Sequence, residues 1–159
     1  MPEIKPSDRY NSLFEVWASW DRRRDGTWVE RKPPLNWQLL KKQAIAESGL
    51  DPDAISPVGA KGLAQVMDAT WREWADNEFG AAPPPRQHVS VFDPEEAIRA
   101  QADIMAWLLG LWKGDVRKAL SSYNWGLGHM RACLEKHGEY WEAHLPLETS
   151  GYLKKILDR

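Results

Sequence analysis

The chain has 159 residues, 43% hydrophobic and 28% charged, a size and balance that suit one folded domain with a real core and exclude a disordered chain. A net charge of −2 gives no draw toward nucleic acid, and the longest apolar window, Ile104 to Trp112, is far too short to span a membrane. One cysteine, Cys133, excludes an internal disulfide, and His88, His129, His137 and His144 show no zinc spacing, so no metal and no cofactor is expected.

The first helix is expected after Ser7, with Asp8 in its first turn. Tyr10, Leu13, Phe14, Trp17 and Trp20 recur at three- and four-residue steps, which gives one apolar face running to about Asp25-Gly26. Arg22-Arg23-Arg24 then reads as a solvated helix end. A short irregular link with Trp28 and Pro33-Pro34 comes next. Asn36 is the expected N-cap of a second helix that holds Leu39, Leu40, Ile45 and Ala46, carries Glu47 and stops near Gly49.

Residues 49–62 are rich in glycine and proline and read as loop or short extended pieces. A brief helix is expected over Leu63–Val66 and a longer one from about Asp68 to Phe79, with Trp71, Trp74 and Ala75 on one face. Ala81-Ala82-Pro83-Pro84-Pro85 is a loop that no helix crosses. Asp93-Pro94-Glu95-Glu96 is a helix start, with Asp as cap and Pro at the first helical position; that helix runs to about Trp112. Residues 115–123, 128–137 and 147–157 complete the helices. Strand signals are scarce, so the expected class is mainly α with at most a small β element.

Three segments carry chemistry. Glu47 sits at a helix end beside the apolar run Ala44-Ile45-Ala46, where desolvation raises a carboxyl toward the pKa of a general acid. The glycines after it let backbone approach a ligand closely. Tyr123 and Asn124 end a helix just before Gly126 and Gly128, where a C-cap explains Asn124 and Gly126, and Trp125 is expected in a Gly-flanked turn. Trp125 lies between stacking on a sugar and packing in the core, and the other tryptophans (ten in all) are expected mostly in the core, Trp17, Trp20, Trp71, Trp74 and Trp107 among them. Glu148 opens the last helix, where an acidic residue is common for structural reasons alone.

In order, the chain reads Glu47-Ser48, then Ser56-Pro57-Val58-Gly59-Ala60-Lys61-Gly62-Leu63-Ala64-Gln65-Val66-Met67, then Phe92-Asp93-Pro94, Ser122-Tyr123-Asn124-Trp125-Gly126-Leu127-Gly128 and Pro146-Leu147-Glu148-Thr149-Ser150-Gly151-Tyr152. Over residues 36–157 this resembles the catalytic domain of the soluble lytic transglycosylase family, within the lysozyme-like superfamily. The resemblance implies one lysozyme-like domain over 1–159, a compact helical body with a small irregular or β element beside an active-site cleft. Residues 1–33 would be an N-terminal helical extension. Ala64 stands where many members carry Met and Trp125 where many carry Ala.

By the same resemblance the partner is the peptidoglycan glycan strand, acted on by a monomer without membrane insertion. The reaction is cleavage of the β-1,4 bond from N-acetylmuramic acid to N-acetylglucosamine, leaving 1,6-anhydromuramoyl ends. Glu47 is the expected catalytic acid and base. Ser56, Gln65, Met67, Tyr123, Asn124, Trp125 and Glu148 are the expected substrate-binding residues, with Tyr123 hydrogen-bonding near Glu47. Glu148 is expected either to touch substrate, to order the site as a buried partner, or to be a second catalytic group. Two other readings stand beside this one: a muramidase using water, with Asp51, Asp53 or Asp68 as candidate bases, and a non-catalytic peptidoglycan-binding protein. The polar N-terminus shows no secretory signal. A phage endolysin or virion-associated enzyme is therefore expected, held in the host cytoplasm until it reaches the wall, or a periplasmic enzyme whose signal was trimmed. Residues 80–91 are the loop expected to decide endo versus exo action.

Overall fold

The computed structural model describes residues 6–23, 25–75 and 90–157. Among them are seven α-helices, two 3-10 segments and one two-stranded sheet, so the mainly helical class with a small β element holds. The chain groups into two compact units, Met1–Asp103 and Ile104–Arg159.

In the first unit, a 3-10 turn at Pro6–Asp8 leads into α1 (Asn11–Ser19), which buries Phe14, Trp17 and Ala18. The helix stops at Ser19 rather than near Asp25. Trp20–Arg22 (β1) pairs antiparallel with Trp28–Glu30 (β2), with Trp20 opposite Glu30 and Arg22 opposite Trp28. The reversal between them uses Gly26 at φ 90°. The Thr27 backbone N–H donates to Asp25 Oδ1 at 2.9 Å and holds that carboxyl below its ordinary value. Arg22 and Arg23 therefore belong to a hairpin and not to a helix end, while Arg24 lies outside the described residues. Trp20, expected in the core, is 41% exposed on β1.

Trp28 stacks on Trp17 with ring centroids 5.2 Å apart, and the Arg99 guanidinium sits 4.6 Å over the Trp17 ring. Arg31, just past β2, donates to the Trp17 carbonyl at 2.9 Å and to Asp103 Oδ1 at 2.7 Å. Asp103 Oδ2 accepts from the Trp74 indole at 2.8 Å. One carboxylate thus ties the hairpin exit to Trp74. Asp103→Ala is expected to cost about 3 kcal/mol, because it takes the carboxylate partner from a mostly buried guanidinium and from an indole N–H. Urea unfolding checks this, and a loss below about 1 kcal/mol contradicts it.

The helix α2 (Trp37–Ser48) starts where expected, with Asn36 Oδ1 accepting from the Leu39 N–H at 3.1 Å. It buries Leu40, Gln43 and Ala44 and ends at Gly49 in the left-handed conformation. Residues 62–65 form a turn between two bridged positions, Lys61 and Val66, in place of the expected short helix. α3 (Asp68–Ala75) buries Trp74. The expected continuation to Phe79, the 81–85 loop, His88 and most of the 80–91 segment lie outside the described residues. α4 (Pro94–Leu111) is capped as expected, with Asp93 Oδ1 accepting from the Glu96 N–H at 3.1 Å.

In the second unit, Asp115 caps α5 (Val116–Trp125), Gly126 closes it, and α6 (Leu127–His137) comes next. A 3-10 segment at Gly138–His144, absent from the sequence expectation, precedes α7 (Leu147–Leu157). Met130, Cys133 and Trp141 form a buried cluster on which Trp112, Trp125, Leu134 and Leu145 pack. Trp107, on the C-terminal half of α4, is exposed rather than core.

Candidate active site

Within the first unit, Glu47 occupies the penultimate position of α2 and is half-buried. The apolar run beside it is uneven, since Ala44 is fully buried but Ile45 is exposed. Ser48 anchors the loop after the helix. Its hydroxyl bonds the Leu63 carbonyl at 2.7 Å and the Ala44 carbonyl at 3.2 Å, so the end of the helix is stitched to a strand of loop fifteen residues on.

That loop is folded on itself by backbone hydrogen bonds. Ser56 N–H donates to the Ala60 carbonyl at 2.9 Å, and the Ser56 hydroxyl accepts from the Ala60 N–H at 3.0 Å. Gly62 N–H donates to the Ala54 carbonyl at 2.8 Å. Gly62 has φ +78°, and a Cβ placed on it would run into the backbone carbonyl of Val91. Gln65 adopts φ 52°, uncommon for a residue with a Cβ. Its side-chain NH2 donates to the Gly62 carbonyl at 2.9 Å and the Ala54 carbonyl at 3.2 Å, so its donors brace the loop. Leu63, Ala64 and Val66 are buried, whereas Val58 and Met67 are exposed. Ala64, at a position expected to differ at the cleft, has no surface to offer a ligand. The loop is therefore a stiff platform that begins just after Glu47 and returns to the helix at Leu63.

Of the candidate bases for a water-using reaction, Asp68 pairs with Lys61 at 2.9 Å, and Asp51 Oδ1 accepts from the Asp53 backbone N–H at 2.9 Å. Both hold local structure.

Within the second unit, Tyr123, Asn124 and Trp125 are the last three residues of α5. Trp125 is thus helical rather than in the turn expected for it. It stacks on His129, centroids 5.4 Å apart, and packs against the Met130–Cys133–Trp141 cluster. Asn124 Oδ1 accepts from the Thr149 hydroxyl at 2.9 Å, which joins two of the sequence motifs. Thr149 is fully buried, while Glu148 beside it is exposed in the first turn of α7, so it does not serve as a buried partner. Ser122 is pinned from both sides: its hydroxyl donates to the Lys118 carbonyl at 2.8 Å and accepts from the Trp112 indole at 2.9 Å.

The sequence reading missed Thr149 and Ser48 as functional groups, although both lie inside the motifs; what marks them is a partner far along the chain. Thr149→Val keeps the shape and removes the bond to Asn124. It is expected to cost about 1 kcal/mol, read by thermal unfolding, and an unchanged Tm contradicts it. Among the described residues no group of three or more His, Cys, Asp or Glu side chains is placed to hold a metal, and no helix is long and apolar enough to cross a membrane.

Residues 29–145 match the family described as the transglycosylase SLT domain. The chain is similar to membrane-bound lytic murein transglycosylase F of Haemophilus influenzae strain PittGG, 32% identical over 108 residues, which is 62% of this chain and 19% of that protein. The same enzyme of Pasteurella multocida strain Pm70 is 30% identical over 105 residues, 62% of this chain and 19% of that one. The chain therefore spans about a fifth of the length of these relatives. Among solved structures it resembles the 70-kDa soluble lytic transglycosylase of Escherichia coli, with a TM-score of 0.69 and 25% identity, covering 94% of this chain and 23% of that one. It also resembles an inactive mutant of the lytic transglycosylase Slt of Pseudomonas aeruginosa, with a TM-score of 0.64 and 26% identity, covering 77% of this chain and 20% of the other.

Proposed function

Because the chain belongs to the transglycosylase SLT domain family, we propose that it is a lytic transglycosylase that cleaves the muramoyl β-1,4 bond of peptidoglycan. The observation that carries the reading is Glu47 at the end of α2, one residue before the Ser48 hydroxyl that fastens the loop to the helix at 2.7 Å. The backbone that carries the carboxyl is thereby held beside a stiff loop and needs little further ordering when substrate binds.

In this mechanism Glu47 gives its proton to the glycosidic oxygen as the bond from C1 of the muramoyl residue breaks. The N-acetylglucosamine leaves with a free 4-hydroxyl. The Glu47 carboxylate then takes the proton of the same muramoyl residue's C6 hydroxyl, whose oxygen closes on C1. The carboxyl ends as it began and no water is consumed. The substrate's own N-acetyl group supports the charge at C1, so a second carboxylate is not required. The braced amides define what each residue offers a sugar: Gln65 its carbonyl oxygen as acceptor, Asn124 its NH2 as donor. Of the residues that the resemblance assigns to substrate, Ser56 and Met67 lie on the loop after Glu47, Tyr123 at the end of α5 and Glu148 at the start of α7. Trp125, packed on His129, offers a ring edge for a sugar at the end of α5. We extend the proposal to a phage-type role, as an endolysin or virion component, which lysis of cells co-expressing this chain with a holin tests.

The experiment for the activity itself is incubation of the purified chain with isolated sacculi, reading turbidity and soluble muropeptides. Clearing with release of fragments is the expected result. Binding to sacculi without release favours a non-catalytic wall-binding protein.

A further inference from the structure

Gln43 on α2 and Gln101 on α4 are both fully buried. A buried amide is costly unless its polar atoms are met, and two leucines would fill similar space. The hydrogen bonds fix how both amides are turned. Gln101 Nε2 donates to the Leu40 carbonyl at 2.9 Å, and a carbonyl only accepts, so the atom facing it is nitrogen. The same Nε2 donates to Gln43 Oε1 at 2.9 Å. Gln43 thus meets Gln101 with its oxygen, and its NH2 is turned to the other side. Gln101 Oε1 is left buried without a hydrogen-bond partner, so the orientation is kept against a penalty that packing alone does not explain.

Gln43 precedes Glu47 by four residues on α2. Residues four apart share a helix face, and helical side chains lean toward the N-terminus, which carries the Glu47 side chain back over the turn that holds Gln43. We propose that Gln43 is a positioning residue for Glu47: Gln101 turns the Gln43 amide so that its NH2 donates toward the Glu47 carboxylate. This rests on reading Glu47 as the acid and base of the reaction.

A donor on the carboxylate favours its ionised form and restrains its rotamer. Removing the donor is therefore expected to raise the Glu47 pKa and to free its rotamer, which loosens its aim at the glycosidic oxygen and the C6 hydroxyl. Other charged groups lie on the packed elements, several of them with partners of their own. Lys41 pairs with Asp8, Lys61 with Asp68, Arg99 with Glu96 and Asp103 with Arg31. Asp51 accepts from the Asp53 backbone, and Lys42 and Glu15 are exposed. All are common to the variants below, so a difference between variants reports on the amide.

The test is a carbon-13 NMR titration of the Glu47 carboxyl in the full chain, assigned as the resonance that no longer titrates in Glu47→Gln. In Gln43→Leu the midpoint is expected to rise by about one pH unit. In Gln101→Leu, which frees the Gln43 amide to turn, it is expected to rise by less. In active protein the basic limb of kcat/KM moves up in parallel, and kcat falls about tenfold with KM unchanged. A merely structural pair would move Tm and leave the midpoint where it was; an unshifted midpoint in folded Gln43→Leu overturns the proposal. If Gln43→Leu does not fold, Gln101→Leu and the flexible Gln43→Met carry the same comparison. The titration needs no substrate, so a wild type that releases no fragments would sink the reading of Glu47 as catalyst while the effect of the amide is still measured.

Discussion

Glu47→Gln is expected to reduce the release of glycan fragments from peptidoglycan by about 10³-fold while leaving the fold intact. The amide matches the carboxyl in size and can still donate a hydrogen bond, but it cannot deliver a proton to the leaving oxygen or take one from the C6 hydroxyl. In a mechanism with one carboxylate nothing else takes over either step. Glu47 is half-buried and the substituted amide keeps an oxygen that accepts hydrogen bonds, so Tm is expected to stay within about 2 °C. Binding to sacculi should also survive, because a sedimentation assay reads sugar contacts and not the proton transfer. Normal lysis by folded Glu47→Gln would remove Glu47 from the mechanism.

Gly62→Ala is the second large effect, and it acts on stability. The position needs φ +78°, which costs a residue with a Cβ about 1–2 kcal/mol. In addition the new methyl meets the Val91 backbone carbonyl, and backbone cannot rotate away as a side chain would. Together these are expected to cost about 3 kcal/mol and to lower Tm by about 10 °C. Gly59 is the internal control: it has φ +91°, but nothing lies within 4 Å of an added Cβ. Gly59→Ala should therefore show the conformational cost alone. Equal losses in the two variants would contradict the close approach of the Val91 backbone. Because Leu63, the next residue, holds the Ser48 hydroxyl, Gly62→Ala is also expected to slow fragment release in whatever fraction remains folded.

The helix starts are legible in the sequence where one side chain decides them. Asn36 and Asp93 each cap by accepting a single backbone N–H three residues on, a local event that local residues specify. The hairpin at residues 20–30 is not legible in this way. Trp17 and Trp20 keep the three-residue step of a helix face, so periodicity extends α1 past Ser19. What ends the helix is the pairing of Trp20–Arg22 with Trp28–Glu30 and the reach of Arg31 to the Trp17 carbonyl and Asp103, which depends on residues far apart in the chain.

The candidate site shows the same division. The motifs point to Glu47, Gln65 and Asn124, and the resemblance places them in a family that residues 29–145 match. What each side chain does locally is hidden from the sequence. Gln65 spends its amide donors on the carbonyls of Ala54 and Gly62, and Asn124 spends an acceptor on Thr149. Gly126 after Trp125 predicts a turn there, yet helix α5 continues through Trp125 and the ring packs on His129. The Gln43–Gln101 pair lies on two helices 58 residues apart in sequence, and no motif points to it.

The most direct test of the account is mass spectrometry of the fragments that the wild-type chain releases from purified peptidoglycan, with Glu47→Gln as the blank. The expected fragments carry 1,6-anhydromuramoyl ends, absent from the blank, because the C6 hydroxyl and not water closes on C1. Reducing muramic acid ends would contradict it, since they require an activated water and a group to activate it.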